Sequence, residues 1–547
     1  MKSLLKKVLV LVIAMACALG SFMGCGGDNG DDDGVDPVDP TRTQVYVLLI
    51  NDGLGIEWMQ NDIKKAFEAK FPQYQLMVDP NYRGSDINSI ATSNFDVFLN
   101  ARDSYRYFAN SGNLADITTW VKEKVYDSNF NYVGQGGTVS AFDRMTADYQ
   151  KLYDVDGKIY AVPHYEGTWG IWYDYDLLHG EGLIPNESYG NGPDGIEGTP
   201  DDGLPRTWKE FLSFLGDVRD SGFIPFSFSN IEYVRNGMLD AFIAGYEGKN
   251  DFDINFSLSG TLDNPVKDDL GNDIYEINCQ PGTANFVHLQ KQEGRLAALT
   301  MINEFVNPDN CSIASYKGQQ HTDAQTEFLQ SVQVENKGQR VAMFMEGAYW
   351  HNEARPTFNA MGTQNSKYGY GEREFRYLAL PKFDGTDTSG VPATTNTGRT
   401  TLYNTGSDAF VFVNKKSENS QAVKDFYQWF NGNEGCFYFT KGSNCFRTIE
   451  SKFTPEQVAE LSPMSQDLYR YRYAENTDVC YELSTCKTRY DQYNTFLQFN
   501  RQSKVGTNTT NNPWSYFKDN PGKASVQAYF SGMYTYWTSS AVYSVLG

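Results

Sequence analysis

An α/β fold class is predicted by three features of the sequence. Residues 45–50 form an uninterrupted apolar run, as in a strand buried on both faces. Asn51-Asp52-Gly53-Leu54-Gly55 then turns the chain, and Ile56, Met59, Ile63, Ala66, Phe67 and Phe71 recur at helical spacing as far as Pro72. The same order returns late in the chain, with a strand over 409–413 followed by Ala422, Val423, Phe426, Trp429 and Phe430 on one helix face. Such alternation predicts a parallel sheet covered by helices.

The remaining elements follow in order. Residues 75–78 and 96–99 read as further strands, with a helix between them or just after. Beyond Asp156-Gly157 come strands over 159–162 and 170–173, the second of which leaves the first lobe. Residues 186–206 are a loop dense in Gly, Pro, Asp and Asn, and the Tyr-rich stretch from Tyr469 reads as helical. No repeat of fixed period is present.

Composition narrows the function. With 547 residues, 40% hydrophobic and 21% charged, the chain can fill more than one core at about 100–200 residues per domain, and global disorder is excluded. A net charge of −22 repels phosphate backbones and anionic head groups, which argues against nucleic acid as a partner. Tyr 36, Phe 35 and Trp 9 are more rings than core packing requires, so some are expected to face a ligand.

The N-terminus reads as an address. Lys2, Lys6 and Lys7 precede an apolar stretch over 8–19 that is short for a membrane span, the pattern of a secretory signal over 1–24. Phe22-Met23-Gly24-Cys25 resembles the lipobox of bacterial lipoproteins and makes Cys25 the lipidated residue. Cys17 competes, but would leave the apolar residues 18–23 at the mature end. Residues 25–42, rich in Asp, Gly and Pro, form a solvated tether, so the body is extracytoplasmic and held to the cell membrane by lipid alone. In an oxidising compartment the short loops favour pairing Cys436 with Cys445, Cys480 with Cys486 and Cys279 with Cys311, among fifteen pairings of these six.

Five segments in order carry a family resemblance. They are the strand and glycine turn within 45–71, Asp96-Val97-Phe98-Leu99-Asn100-Ala101-Arg102-Asp103 with Ala109 to Ile117, Lys158 to Pro163 leading to Trp172-Tyr173-Asp174, Arg340 to Trp350, and Phe410 to Phe430. Together they resemble the family 1 extracellular solute-binding proteins, which include the maltose binders. The resemblance implies a bilobal, class II periplasmic-binding-protein-like fold whose two α/β lobes are joined by crossing hinge strands. It places 43–165 and 400–450 in the N-terminal lobe, and 166–399 and 451–547 in the C-terminal lobe. It further implies a carbohydrate ligand, an ABC permease as partner, and a monomer that uses no cofactor.

A sugar presents hydroxyls around its edge and C–H groups on its faces, so its site needs carboxylates and amides in the ring plane and aromatics above and below. Asp103 matches the family's hydroxyl-accepting carboxylate, although it also suits a helix N-cap. Asn100 stands where the maltose binders have an aromatic, and Leu54 where they have a lysine; both departures argue against maltose itself. Tyr349 or Trp350 is the stacking platform, with Glu346 in the same turn. Glu166, Thr168 and Trp169 are expected to face the cleft near the hinge, and Asp52 and Gly53 to contribute backbone at the carboxyl end of the first strand.

Two rival features remain. The loop 191–203 carries Asp194, Asp201 and Asp202, oxygen donors suited to a structural calcium ion, although not in EF-hand order. Asp103, Glu166 and Glu346 can also supply the carboxyl pair of a glycoside hydrolase. However, the five histidines form no H-E-x-x-H, and neither a G-x-S-x-G elbow nor a P-loop is present, so the chain reads as a binder and not an enzyme. A surface adhesin for polysaccharide is the other alternative.

Overall fold

A computed structural model describes residues 37–51, 53–79, 90–99, 105–229, 232–280, 282–405, 409–481, 501–510 and 512–539. Among them, two sheets organise the body. The first has five strands in the order Tyr74–Asp79, Thr43–Leu49, Val97–Leu99, Phe410–Val413, Ala161–Pro163. Its first three strands are parallel, as strand-helix alternation requires, with Val47 opposite both Val78 and Val97. Phe410–Val413 enters antiparallel, so the sheet is mixed and not parallel throughout. The reason is topological: this strand returns from the other sheet and runs back through the first. Phe412 opposite Phe98 stacks on it with ring centroids 4.8 Å apart. Gln421–Phe430 covers this sheet through Phe426, Trp429 and Phe430, which pack with Phe67 and Trp58.

The second sheet has six strands. Gly167–Asp174 lies at its centre, buried along its whole length and antiparallel to Val341–Gly347, Phe375–Leu378 and Thr400–Thr405. Ile224–Phe228 and Thr477–Tyr481 add parallel strands at the two edges. Two expectations change here. Residues 400–405 belong to the second sheet and not to the N-terminal lobe, because they pair with the strand that begins at Gly167. Residues 477–481 are a strand, so the Tyr-rich stretch from Tyr469 is helical only in part among the described residues, at the end of Pro463–Arg472 and again over Pro513–Asp519 and Lys523–Ser539.

Among the described residues the chain passes between the sheets three times: after Ala161–Pro163, between Thr400–Thr405 and Phe410–Val413, and between the helices Asn433–Ser443 and Pro463–Arg472. Backbone bonds tie these passages together, His164 N–H donating to Ala409 O at 3.0 Å and Glu166 N–H to Phe446 O at 2.8 Å. A hairpin, Gly260–Lys267 with Asp273–Ile277, builds a smaller satellite core with Phe286, Leu289 and Trp537.

Three local expectations are settled by contacts. Cys436 and Cys445 are separate buried thiols, and half-buried Cys279 and buried Cys311 lie in different cores; neither expected disulfide forms. Cys486, the expected partner of Cys480, lies outside the described residues, as do Cys17 and Cys25. In the loop 191–203, Arg470 takes the place proposed for calcium. It pairs with Asp194 and lies 3.0 Å from Asp201, whose other oxygen accepts from the Tyr471 hydroxyl at 2.6 Å, while Asp202 accepts from Gly198 N–H. Among the described residues no group of three or more His, Cys, Asp or Glu is placed to hold a metal ion. Nor is any described helix long and apolar enough to cross a membrane.

Removing one partner from a buried ion cluster leaves the others uncompensated, which costs about 3 kcal/mol. Arg470→Met is therefore expected to lower unfolding free energy by about that amount in urea titration. A chelator should leave the wild-type midpoint where it is.

Candidate functional site

The site is built where the two central strands of the second sheet end. Gly347 lies opposite Trp169 and Glu346 opposite Gly170, and the Ala348 N–H donates to Thr168 O at 2.8 Å. The chain then turns at Tyr349 into the short helix Trp350–Glu353. Tyr349 lies over two residues that have no side chain. A Cβ at Gly347 would fall 2.6 Å from its Cζ, and one at Gly167 2.9 Å from its Cε1, so any larger residue at either position would displace the ring. Trp169 meets Tyr349 edge-on, with centroids 6.2 Å apart at 84°, and donates its Nε1–H to Thr405 Oγ1 at 3.0 Å.

The first lobe reaches the same place through the turn that follows its first strand. Gly53 holds φ +81°, a conformation that favours glycine. A Cβ there would lie 3.5 Å from Tyr349 Cδ2 and 3.5 Å from Glu353 Cβ. Asn352 of the short helix donates from Nδ2 to Gly442 O of the first lobe at 2.9 Å. Tyr349, Glu353 and Gly53 thus converge at the meeting of the lobes. The Glu353 carboxylate is held from the helix His321–Gln330, with Oε1 3.2 Å from His321 Nε2 and Oε2 accepting from Gln325 Nε2 at 2.6 Å.

Other residues expected here are placed differently. Trp350 is 0% exposed and sits within Phe328, Phe344, Phe358 and Phe375, so it is a core residue, whereas Tyr349 keeps 8% exposure. Glu166, 1% exposed, is an internal ion-pair partner and not a cleft group. Arg472 pairs with it and the Tyr481 hydroxyl donates to it at 2.9 Å. Burial opposes the charge on Glu166, and the guanidinium and hydroxyl counter that effect. Thr168 bonds Asn404 and is buried. Glu346 is 0% exposed; one oxygen accepts from the Gly347 N–H at 3.3 Å, and Oε2 has no partner among the described residues. Burial holds this carboxyl well above the usual range and the nearby Glu353 charge adds to the shift, so the fold favours the neutral acid at Glu346. Asp52, Asn100 and Asp103 lie outside the described residues.

Of the groups that the sequence did not single out, Glu353 had a readable signal. It stands four residues after Tyr349 on a helical turn, and its N–H donates to Tyr349 O at 3.1 Å. Arg472 and Tyr481 had none, because they reach Glu166 across more than 300 residues of chain.

A separate polar cavity of about 690 Å³ lies beside the edge strand Thr477–Tyr481, lined by Lys249, Asp253, Asn264, Asn396, Arg399 and Asp478 among others. No aromatic ring is among its described lining residues.

Residues 52–276 match the family described as bacterial extracellular solute-binding protein. The atomic-resolution structure of apo RafE from Streptococcus pneumoniae is similar at 13% identity with a TM-score of 0.50, covering 92% of this chain and 100% of that one. A structure from Caldanaerobius polysaccharolyticus, reported in work on xylan utilization, is similar at 12% identity with a TM-score of 0.53, covering 90% of this chain and 99% of its own. These likenesses show the bilobal fold. No curated protein sequence matches the chain.

Two outcomes follow. Trp350→Ala should cost about 3–5 kcal/mol of stability in denaturant titration, because it empties the centre of a ring cluster. For Glu346 the folded pKa is raised, so the folded state keeps a proton that the unfolded state releases above the ordinary value of 4.5, and stability falls as pH rises from there. Glu346→Gln removes that loss. The variant should gain stability over wild type progressively as pH rises above 4.5 and show no gain near pH 4.

Proposed function

We propose that this chain is a bacterial extracellular solute-binding protein that binds a carbohydrate, an oligosaccharide, between its lobes and passes it unaltered to an ABC permease. One observation carries the reading: an aromatic ring, Tyr349, laid over two glycines at the junction of the lobes, with a carboxylate at its edge. A ring face without side chains behind it suits the C–H face of a sugar, and an adjacent ionised acceptor suits its hydroxyls. The likeness to the structure reported in work on xylan utilization supports carbohydrate as the ligand class. Three passages between the sheets let the lobes move as bodies, so a ligand that touches both favours the closed state through its differential contacts.

In this reading Tyr349 stacks, Trp169 braces it from the side and Gly53 supplies backbone from the opposite lobe. Asp52, Asn100 and Asp103 belong to the same proposal on sequence grounds, since Asp52 adjoins Gly53 and the other two follow the strand Val97–Leu99. The protein acts as a monomer, anchored outside the cell by lipid on Cys25. Micromolar affinity requires about −8 kcal/mol, within reach of one stacked ring and several charge-assisted bonds.

The test is a thermal-shift screen of an oligosaccharide library, with calorimetry on the hits and recovery of the bound sugar. A stabilising sugar recovered intact is expected, and scattering should show contraction on binding. Tyr349→Ala should weaken that sugar at least tenfold while leaving the fold in place. Release of reducing ends would replace the reading with hydrolysis, and stabilisation by no sugar would remove it.

A further inference from the structure

We propose that Glu353 is the ligand-binding carboxylate of the second lobe, oriented by His321 and Gln325, and that it selects neutral over acidic oligosaccharides. This rests on the carbohydrate reading above and names the group that gives it selectivity. Glu346, the carboxyl nearer in sequence to the glycine turn, cannot serve as an ionised acceptor, since it is wholly enclosed. Glu353 is the next carboxyl along the chain, and its side chain keeps 23% exposure.

Its surroundings fit a recognition group better than a helix brace. Both oxygens are held from one side, by His321 Nε2 at 3.2 Å and Gln325 Nε2 at 2.6 Å, which fixes the plane of the carboxylate. A carboxylate has about four lone-pair positions, so these two contacts leave acceptor capacity for hydroxyl donors. The backbone places the group beside the stacking ring, one helical turn after Tyr349, and Gly53 of the opposite lobe comes to within contact of both. A sugar lying on Tyr349 therefore brings its edge hydroxyls to Glu353. Donation to an ionised acceptor is stronger than to a neutral one, and orientation by the helix His321–Gln330 lowers the ordering cost on binding. A ligand carboxylate at the same edge would face this charge at short range and be repelled.

Other charged groups nearby do not cancel that selectivity. Arg355, on the following helix, points to Glu57 at 3.8 Å and lies over the Tyr370 ring at 3.9 Å. Its Nη2–H donates to Asn352 Oδ1 at 2.8 Å.

The experiment uses the full-length protein and a neutral oligosaccharide that the library screen shows to bind wild type, with an oligouronate of the same length as the acidic probe. In calorimetry, Glu353→Gln should lose at least tenfold in affinity for the neutral sugar, and the ratio of neutral to acidic affinity should fall by at least tenfold. Gln325→Ala, which keeps the charge and frees one oxygen, should lose affinity for the neutral sugar by a smaller factor while keeping the exclusion of the oligouronate. Thermal unfolding of each variant reports the rival role. If Glu353→Gln melts earlier yet binds both probes as wild type does, Glu353 only braces the helices and the proposal is overturned. If both variants fold and bind the neutral sugar at wild-type affinity, it is overturned as well. Failure of wild type to bind any sugar would instead fall on the carbohydrate reading.

Discussion

Where two lobes must approach each other around one aromatic ring, the space for that ring has to come from residues without side chains. Gly167 begins the central strand of the second sheet and Gly347 ends its neighbour, and the Tyr349 ring fills the volume that a Cβ at either position would take. Gly53 of the first lobe contributes differently: its φ of +81° favours glycine, and a Cβ there would lie 3.5 Å from both Tyr349 and Glu353. The position of the ring, the direction of the helix that follows it and the approach of the opposite lobe all depend on these vacant positions. A methyl group at Gly167 or Gly347 would push on the ring, and one at Gly53 would strain the backbone at φ +81°.

Charge is arranged to serve that geometry. The passage between the sheets carries a buried Glu166, and burial alone would favour its neutral form. Arg472 and Tyr481 arrive from the far end of the chain to offset the desolvation. A comparable solution appears in the loop 191–203, where Arg470 draws two aspartates together. In both places a guanidinium, planar and always charged, supplies what a bound cation would otherwise provide. The two acids near the ring are treated differently. Glu346 is enclosed, with its charged form disfavoured by burial, whereas Glu353 is partly exposed and bonded to His321 and Gln325.

The family likeness and the geometry meet at the glycine turn. The proposed binding of a sugar between the lobes needs one wall on each, and the Gly53 backbone and the Tyr349–Glu353 turn are the groups that come near one another there. The ring cluster behind them explains why the chain carries so many aromatics. Most are packing: Trp350, Phe344, Phe328 and Phe375 make a solid support under the turn, and Trp58, Phe430 and Phe439 do likewise beneath the first lobe. An excess of rings in the composition therefore reflects two large cores first.

Period and order along the chain were enough to determine the strand-turn-helix that opens the first lobe, the strand and helix at 409–430, the long acidic loop and the glycine turn at 347, because each is a local pattern of apolar residues and turn formers. Only tertiary structure decided which of the adjoining rings lies over the paired glycines, Tyr349, and which is enclosed in the ring cluster, Trp350, because no local signal fixes the phase of so short a helical turn. Tertiary structure likewise decided that residues 400–405 join the second sheet, that Cys436 and Cys445 stay apart, and that Glu166 is a paired internal charge. Each of those outcomes depends on a partner from a distant part of the chain, and the free energy of burying a charge or pairing a strand is set by that partner and not by the neighbours in sequence.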